Sequence, residues 1–156
     1  MKKVLIFAAI FIVIFGALAF FTNFQKQETA KGNPYGKTTL EPETEKLLDD
    51  PNYQNNILPD ELEAKIKSGE DFIVYFYASN CIHCLRTTPE LMPLAKDMGI
   101  EIDQFNLLEF RDYWDTFGIS STPTLVHYKD GEKADSSIGE KTKEQLEPIL
   151  KEWSGK

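Results

Sequence analysis

Cysteine and histidine are scarce, with two of each in 156 residues. Two thiols cannot build a disulfide-dense scaffold or a zinc site made of four thiolates. Positive charge is short as well: 17 Lys and Arg stand against 25 Asp and Glu, a formal net charge of -8. Every acid lies beyond residue 24, where 15 basic residues face all 25 acidic ones. A region that acidic repels phosphate backbones, which argues against nucleic-acid binding. Internal repeats and low-complexity tracts are absent too. What is present, 42% hydrophobic and 27% charged residues, suffices for the packed core of one ordinary domain.

Charge and polar side chains are missing altogether from Val4 to Phe21, behind Met1-Lys2-Lys3. Eighteen such residues reach the lower edge of what spans a bilayer, roughly 20 residues at about 1.5 Å each. The two lysines ahead of the run keep the N-terminus on the cytoplasmic side. A cleaved signal peptide is the alternative, since Ala17-Leu18-Ala19 matches a small-x-small cleavage site. Continuation of the run through Phe20 and Phe21 favours an uncleaved anchor, and the lack of a following cysteine excludes a lipoprotein. In either case the remainder of the chain is expected outside the cytoplasmic membrane. Residues 1–24 are thus expected to be an anchor or signal segment, 25–54 a solvated tether rich in Lys, Glu, Thr, Gly, Pro and Asn, and 55–156 the folded domain.

Within that domain the pattern alternates. Pro59, Asp60 and Glu61 open a helix through Leu62 and Ile66 to the turn Ser68-Gly69. Phe72 to Tyr77 is aromatic and β-branched throughout, as suits a central strand covered on both faces. A helix then runs from Cys81-Ile82-His83-Cys84 to about Met98, and a strand follows over Ile100 to Leu107. Phe110, Tyr113, Trp114 and Phe117 have helical spacing and read as core packing. Thr124 to Tyr128, Lys129-Asp130-Gly131-Glu132 and Lys133 to Ile138 form a hairpin signal. Thr142 and Gln145 make a capping box for a last helix whose Leu146, Ile149, Leu150 and Trp153 share one face, with Pro148 expected to bend it or delay its start. The fold expected is an α/β three-layer sandwich with a mixed sheet, preceded by a transmembrane helix.

Both cysteines sit three residues apart at a strand end that opens a helix. There the unpaired backbone N–H groups and the positive end of the helix dipole favour a thiolate. Cys81 is the expected exposed nucleophile and Cys84 the more buried partner that resolves a mixed disulfide. His83 between them offers an imidazolium that favours the reduced form and makes the pair a better oxidant. A purely structural bridge is the first alternative, although so small a ring removes only about 2 kcal/mol of chain entropy against about 3 for a fifteen-residue loop. A metal site is the second: His127 is the only other imidazole, and it lies 43 residues beyond Cys84 on an expected strand.

Residues 56–154 resemble the thioredoxin-fold oxidoreductases. Phe72 to Ala78 followed by Cys81-Ile82-His83-Cys84 is similar to the family's strand and active-site motif, and Pro89 to the proline of its active-site helix. Gly118 to Thr124 resembles the loop that ends in a cis-proline beside the disulfide, and Lys129 to Glu132, Gly139 and Gln145-Leu146 resemble the closing hairpin and helix. The nearest subgroup is the small membrane-tethered, BdbA-like proteins of Gram-positive bacteria. The resemblance implies a cis Pro123 that leaves neighbouring backbone free to pair with a substrate strand, and a Thr122 that contacts Cys81 and tunes its potential. It implies that Ile82-His83 stands nearer the Pro-His of DsbA-type oxidases than the Gly-Pro of reducing thioredoxins. One departure is chemical: where the family carries a proton-shuttling acid six residues before the first cysteine, this chain has Tyr75.

The expected function is thiol-disulfide exchange on exported proteins, in the oxidising direction, with no cofactor and no metal. The expected partners are exported protein thiols and disulfides, and either a quinone-linked oxidase or a thiol electron transporter in the membrane. The alternatives are an extracytoplasmic reductase serving cytochrome maturation or repair, and a non-catalytic module that binds copper or a client. A monomer is the expected state.

Overall fold

The computed structural model describes residues 2–30 and 32–155, with the side chains of 2–6, 8, 9 and 26–30 outside that description. The chain divides into two compact units, Met1–Leu40 and Glu41–Lys156. The first unit contains helix α1, Lys2–Ala30. Among the described residues no helix is long and apolar enough to cross a membrane. The expected span, Val4 to Phe21, begins on residues whose side chains lie outside the description.

The second unit is built on a four-stranded sheet in the order β2-β1-β3-β4, from β1 (Phe72–Tyr77), β2 (Ile102–Asn106), β3 (Thr124–Lys129) and β4 (Glu132–Ile138). β1 pairs parallel with β2 and antiparallel with β3, and β4 closes the sheet antiparallel to β3, so the sheet is mixed. Every residue of β1 is buried, which explains its unbroken apolar run. Its two faces feed two cores. Ile73, Tyr75 and Tyr77 pack with Leu91, Leu94 and Ala95 of α4 (Ile82–Met98) and Leu146 and Leu150 of α6 (Lys143–Ser154). Phe72, Val74 and Phe76 pack with Leu62 of α3 (Pro59–Ser68) and with Phe105, Phe117 and Val126 on the opposite side. The expected thioredoxin-like arrangement with a mixed sheet is the one observed.

Local chemistry sets the boundaries. Asp130 and Gly131 both take positive φ, 52° and 80°, as a two-residue hairpin turn requires. A side chain at Gly131 would also meet the Ile66 carbonyl oxygen at 2.9 Å. In α6 the Thr142–Gln145 capping box forms, and Pro148 is accommodated inside a helix that starts at Lys143 without delay. The aromatic stripe from Phe110 to Phe117 yields a single helical turn, α5 (Tyr113–Thr116), because its rings are drawn onto Phe105: Phe110 meets that ring tilted, and Tyr113 and Phe117 meet it edge-on.

The segment before the domain differs most from expectation. In place of a solvated tether up to residue 54, residues 41–54 belong to the second unit. They contain α2 (Pro42–Glu45) and a 3-10 turn (Pro51–Tyr53), with Thr44 and Tyr53 buried. The reason is apolar in part, since Tyr53 enters the core under α4 and α6 with Leu47 packed against it, and polar in part. Buried Gln104 accepts from Asn55 N–H and donates to the Asn52 carbonyl, and buried Asn106 donates to the Thr44 hydroxyl. Polar side chains that satisfy β2 look, in sequence, like solvated ones.

Candidate active site

β1 delivers the chain to a short loop, Ala78-Ser79-Asn80, and Cys81 caps α4. Cys81 has extended backbone angles (φ -84°, ψ 114°), and its sulfur accepts a hydrogen bond from the Cys84 N–H at 3.3 Å. This is the N-cap geometry that serine or aspartate ordinarily supplies, here made by sulfur. On its other side the Cys81 thiol donates to the Thr122 carbonyl oxygen at 3.4 Å. The Thr122–Pro123 peptide bond is cis. The loop around it is fixed from both sides, because the Gly139 N–H donates to the Pro123 carbonyl at 2.8 Å and the Thr124 hydroxyl donates to the Ser121 carbonyl at 2.8 Å.

The two cysteines are free thiols in unequal surroundings, Cys81 half-buried and Cys84 fully buried. Burial, followed by the neighbouring Cys81, pushes the Cys84 thiol up to about 12. Behind Cys84 lies a cluster of hydroxyls without a carboxylate. Thr88 donates to the Cys84 carbonyl at 2.8 Å, and that commits its proton, so Tyr75 donates to Thr88 at 3.1 Å. Burial and the adjacent Cys84 also raise the Tyr75 phenol. Tyr53 brings a third hydroxyl toward Thr88, pushed up to about 12 by burial. Nothing in this cluster can accept the Cys84 proton near neutral pH.

The loop itself is buttressed from below. Asn106 donates to the hydroxyls of both Ser79 and Thr44, at 2.7 and 3.2 Å, and Thr44 donates to Ser79 at 2.9 Å. At the mouth of the site, Ile82 projects to solvent with 54% of its surface exposed. His83 is engaged by the loop after β4: its Nδ1 lies 2.6 Å from Glu140 Oε2, which Arg86 also reaches at 3.5 Å. The hydrogen bond from His83 holds the Glu140 carboxyl below its usual range.

A description of the thioredoxin family matches residues 54–152, the stretch that carries this cysteine pair and the cis-proline loop. The chain belongs to the thioredoxin family. It is 29% identical over 100 residues to thioredoxin of Chlamydia caviae, covering 58% of this chain and 98% of that protein. With thioredoxin of Bacillus subtilis it shares 34% identity over 77 residues, 48% of this chain and 74% of the relative. Among solved structures it is similar to the J-Trx1 fragment of ERdj5, with a TM-score of 0.60 and 26% identity over 72% of this chain and 56% of that one. It is also similar to thioredoxin from Aeropyrum pernix, with a TM-score of 0.50 and 28% identity over 62% and 83% of the two chains.

Family membership makes the protein a thiol-disulfide oxidoreductase in general terms. Of the residues singled out in the sequence, the thioredoxin fold brings Cys81, Cys84, Thr122, Pro123 and Tyr75 together, with Ile82 at the rim. It places His83 beside the pair but bonded elsewhere. His127 sits apart, against Asp71 at 2.6 Å and stacked on Trp153. No third metal ligand therefore joins the two cysteines among the described residues. Sequence reasoning missed Glu140, Thr88, Tyr53 and the Thr44–Ser79–Asn106 network. Glu140 follows a glycine already noted in the family pattern, and that adjacency was the one available signal.

Proposed function

We propose that this protein exchanges disulfides with exported proteins, in the oxidising direction, from a position tethered to the outer face of the cytoplasmic membrane as in the BdbA-like oxidoreductases. The observation that carries the exchange chemistry is the asymmetry of the pair: a half-exposed Cys81 against the Thr122 carbonyl, and a buried Cys84 whose thiol is held protonated. The tether rests on the uncharged run Val4 to Phe21 behind Lys2 and Lys3. The direction rests on His83 between the cysteines.

The cycle begins with a Cys81–Cys84 disulfide. A substrate thiolate attacks Cys81 Sγ, the bond to Cys84 breaks, and Cys84 leaves with the electron pair and takes up a proton. A second thiolate of the client then attacks the client sulfur of the mixed disulfide. The client gains a disulfide, losing two electrons, and Cys81 leaves as the thiolate. A quinone-linked membrane oxidase is the proposed partner that restores the bridge. Pro123 and Thr122 present backbone beside Cys81 on which an extended client segment can lie.

Cys84→Ser is expected to accumulate mixed disulfides through Cys81, visible on non-reducing gels, whereas a module that merely binds clients or copper would show none. A glutathione redox titration of the full chain in detergent tests the direction. A potential near the about −120 mV of strong oxidases supports it, and one near the about −270 mV of cytosolic thioredoxin refutes it. The opposite direction, a reductase fed by a membrane thiol transporter, is favoured by one observation: His83 Nδ1 is engaged by the Glu140 carboxylate at 2.6 Å.

A further inference from the structure

We infer that Glu140 is a positioning residue for His83: it holds the imidazole against the loop after β4, withholds its charge from Cys81, and leaves the Cys81–Cys84 disulfide a weaker oxidant than the Cys-Ile-His-Cys motif dictates by itself. The inference rests on the reading of this pair as the redox centre, but not on the direction in which it runs.

Three features converge on Glu140. Its carboxylate meets His83 Nδ1 at 2.6 Å and Arg86 Nη1 at 3.5 Å, so two basic groups of one face of α4 share a single oxygen. Its backbone is fixed on both sides: the preceding Gly139 N–H donates to the Pro123 carbonyl at 2.8 Å, and the following Lys141 N–H donates to Thr87 Oγ1 at 3.4 Å. Gly139 takes φ 88°, a turn that an L side chain resists, and this bend aims the next residue at α4. Cys81, meanwhile, has its polar contacts with the Thr122 carbonyl and the Cys84 N–H, not with His83. The Lys141 ammonium is turned to the Ile138 carbonyl at 2.8 Å.

The chemical consequence has a definite sign. Reducing the bridge with two glutathione thiols yields glutathione disulfide and the Cys81/Cys84 pair, with negative charge developing on Cys81. Positive charge nearby favours that product and raises the potential, and a carboxylate that faces the same imidazole opposes it. Glu140 is ionised well below neutral pH, since the His83 hydrogen bond holds its carboxyl low. Its charge is therefore present throughout the working range.

The test is a glutathione equilibrium of the full-length chain in detergent at pH 7, run on the parent, Glu140→Gln, His83→Gln and the double variant. Glu140→Gln is expected to shift the equilibrium about fivefold toward the reduced enzyme, while adding it to His83→Gln changes the constant less than about twofold. An unchanged constant in Glu140→Gln overturns the inference. So does an equal shift in the His83→Gln background, which would mean that the carboxylate acts through Arg86 or its general field. The parent's own potential decides the oxidising direction separately, so the two readings fail on different measurements.

Discussion

Cys84, Thr88 and Tyr75 show how an uncharged pocket can govern a thiol. The folded state keeps the Cys84 proton up to about 12, where the unperturbed thiol loses it near 9.0. The folded state therefore binds the extra proton between those values. Its contribution to stability is complete below pH 9 and drains away as the pH rises toward 12. Cys81→Ser, which retains the Cys84 thiol, should lose urea resistance relative to Cys81→Ser/Cys84→Ser between pH 8.5 and 10.5 on this account. A difference between the two that stays flat with pH would show that Cys84 is not held protonated. The hydroxyls rank differently. Thr88→Val strands the buried Tyr75 phenol, leaving it only the Cys84 carbonyl at 3.5 Å, and should cost about 1–3 kcal/mol. Tyr75→Phe, which leaves the Thr88 bond to the Cys84 carbonyl intact, should cost about 1 kcal/mol. Chemical denaturation that ranks them in the reverse order contradicts the donor assignment.

The elements around the site are linked by side chains rather than by backbone alone. Asn106 at the end of β2 ties α2 to the loop that carries Cys81, through Thr44 and Ser79. Its own Oδ1 accepts from the Leu108 N–H at 3.1 Å. Asn106→Ala removes three buried bonds at once and is expected to destabilise the fold by about 2–3 kcal/mol. Hydrogen exchange offers a second measurement. The Cys81 N–H, which donates to the Ala78 carbonyl at 2.9 Å, should exchange faster in this variant. Protection equal to the parent's would mean that the network supports the core without steadying the loop. By contrast β4 carries its charged Glu132, Lys133 and Asp135 on an exposed edge, where such residues discourage further strand pairing.

At the scale of the whole second unit, two apolar layers on either side of β1 carry the stability. The layer under α4 and α6 contains Leu146 and Leu150, both fully buried. Leu150→Ala should therefore cost about 2–5 kcal/mol in denaturant unfolding. Tyr53 belongs to the same layer, against Tyr77 at 5.3 Å between rings. A chain beginning at residue 55 is accordingly expected to unfold at lower denaturant than one beginning at residue 41. Equal midpoints would show that residues 41–54 lie on the unit without supporting it.

Much of this was legible beforehand, for reasons that differ by element. β1 announced itself because a strand buried on both faces needs an unbroken apolar run. The hairpin did so because its turn needs positive φ at two positions, which Asp-Gly tolerates. The cysteine pair was legible because its position between a strand and a helix is local in sequence. The stripe from Phe110 to Phe117 was legible as core packing, and its rings do join the core around Phe105; only the length of the helix there, a single turn, was not.

The sequence by itself determined the sheet's central strand, the hairpin, the helix caps and the place of the two sulfurs, because each depends on residues within a few positions of one another. Only the tertiary structure decided that residues 41–54 join the domain, that Thr88 and Tyr53 join Tyr75 behind Cys84, and that Glu140 claims His83. Those are meetings of polar groups separated in the chain: Thr44 and Asn106 are 62 residues apart, Thr44 and Ser79 35, Tyr75 and Thr88 13, and His83 and Glu140 57. Hydrogen bonds act over about 3 Å, and residues far apart in the chain come within that range only once the backbone has folded.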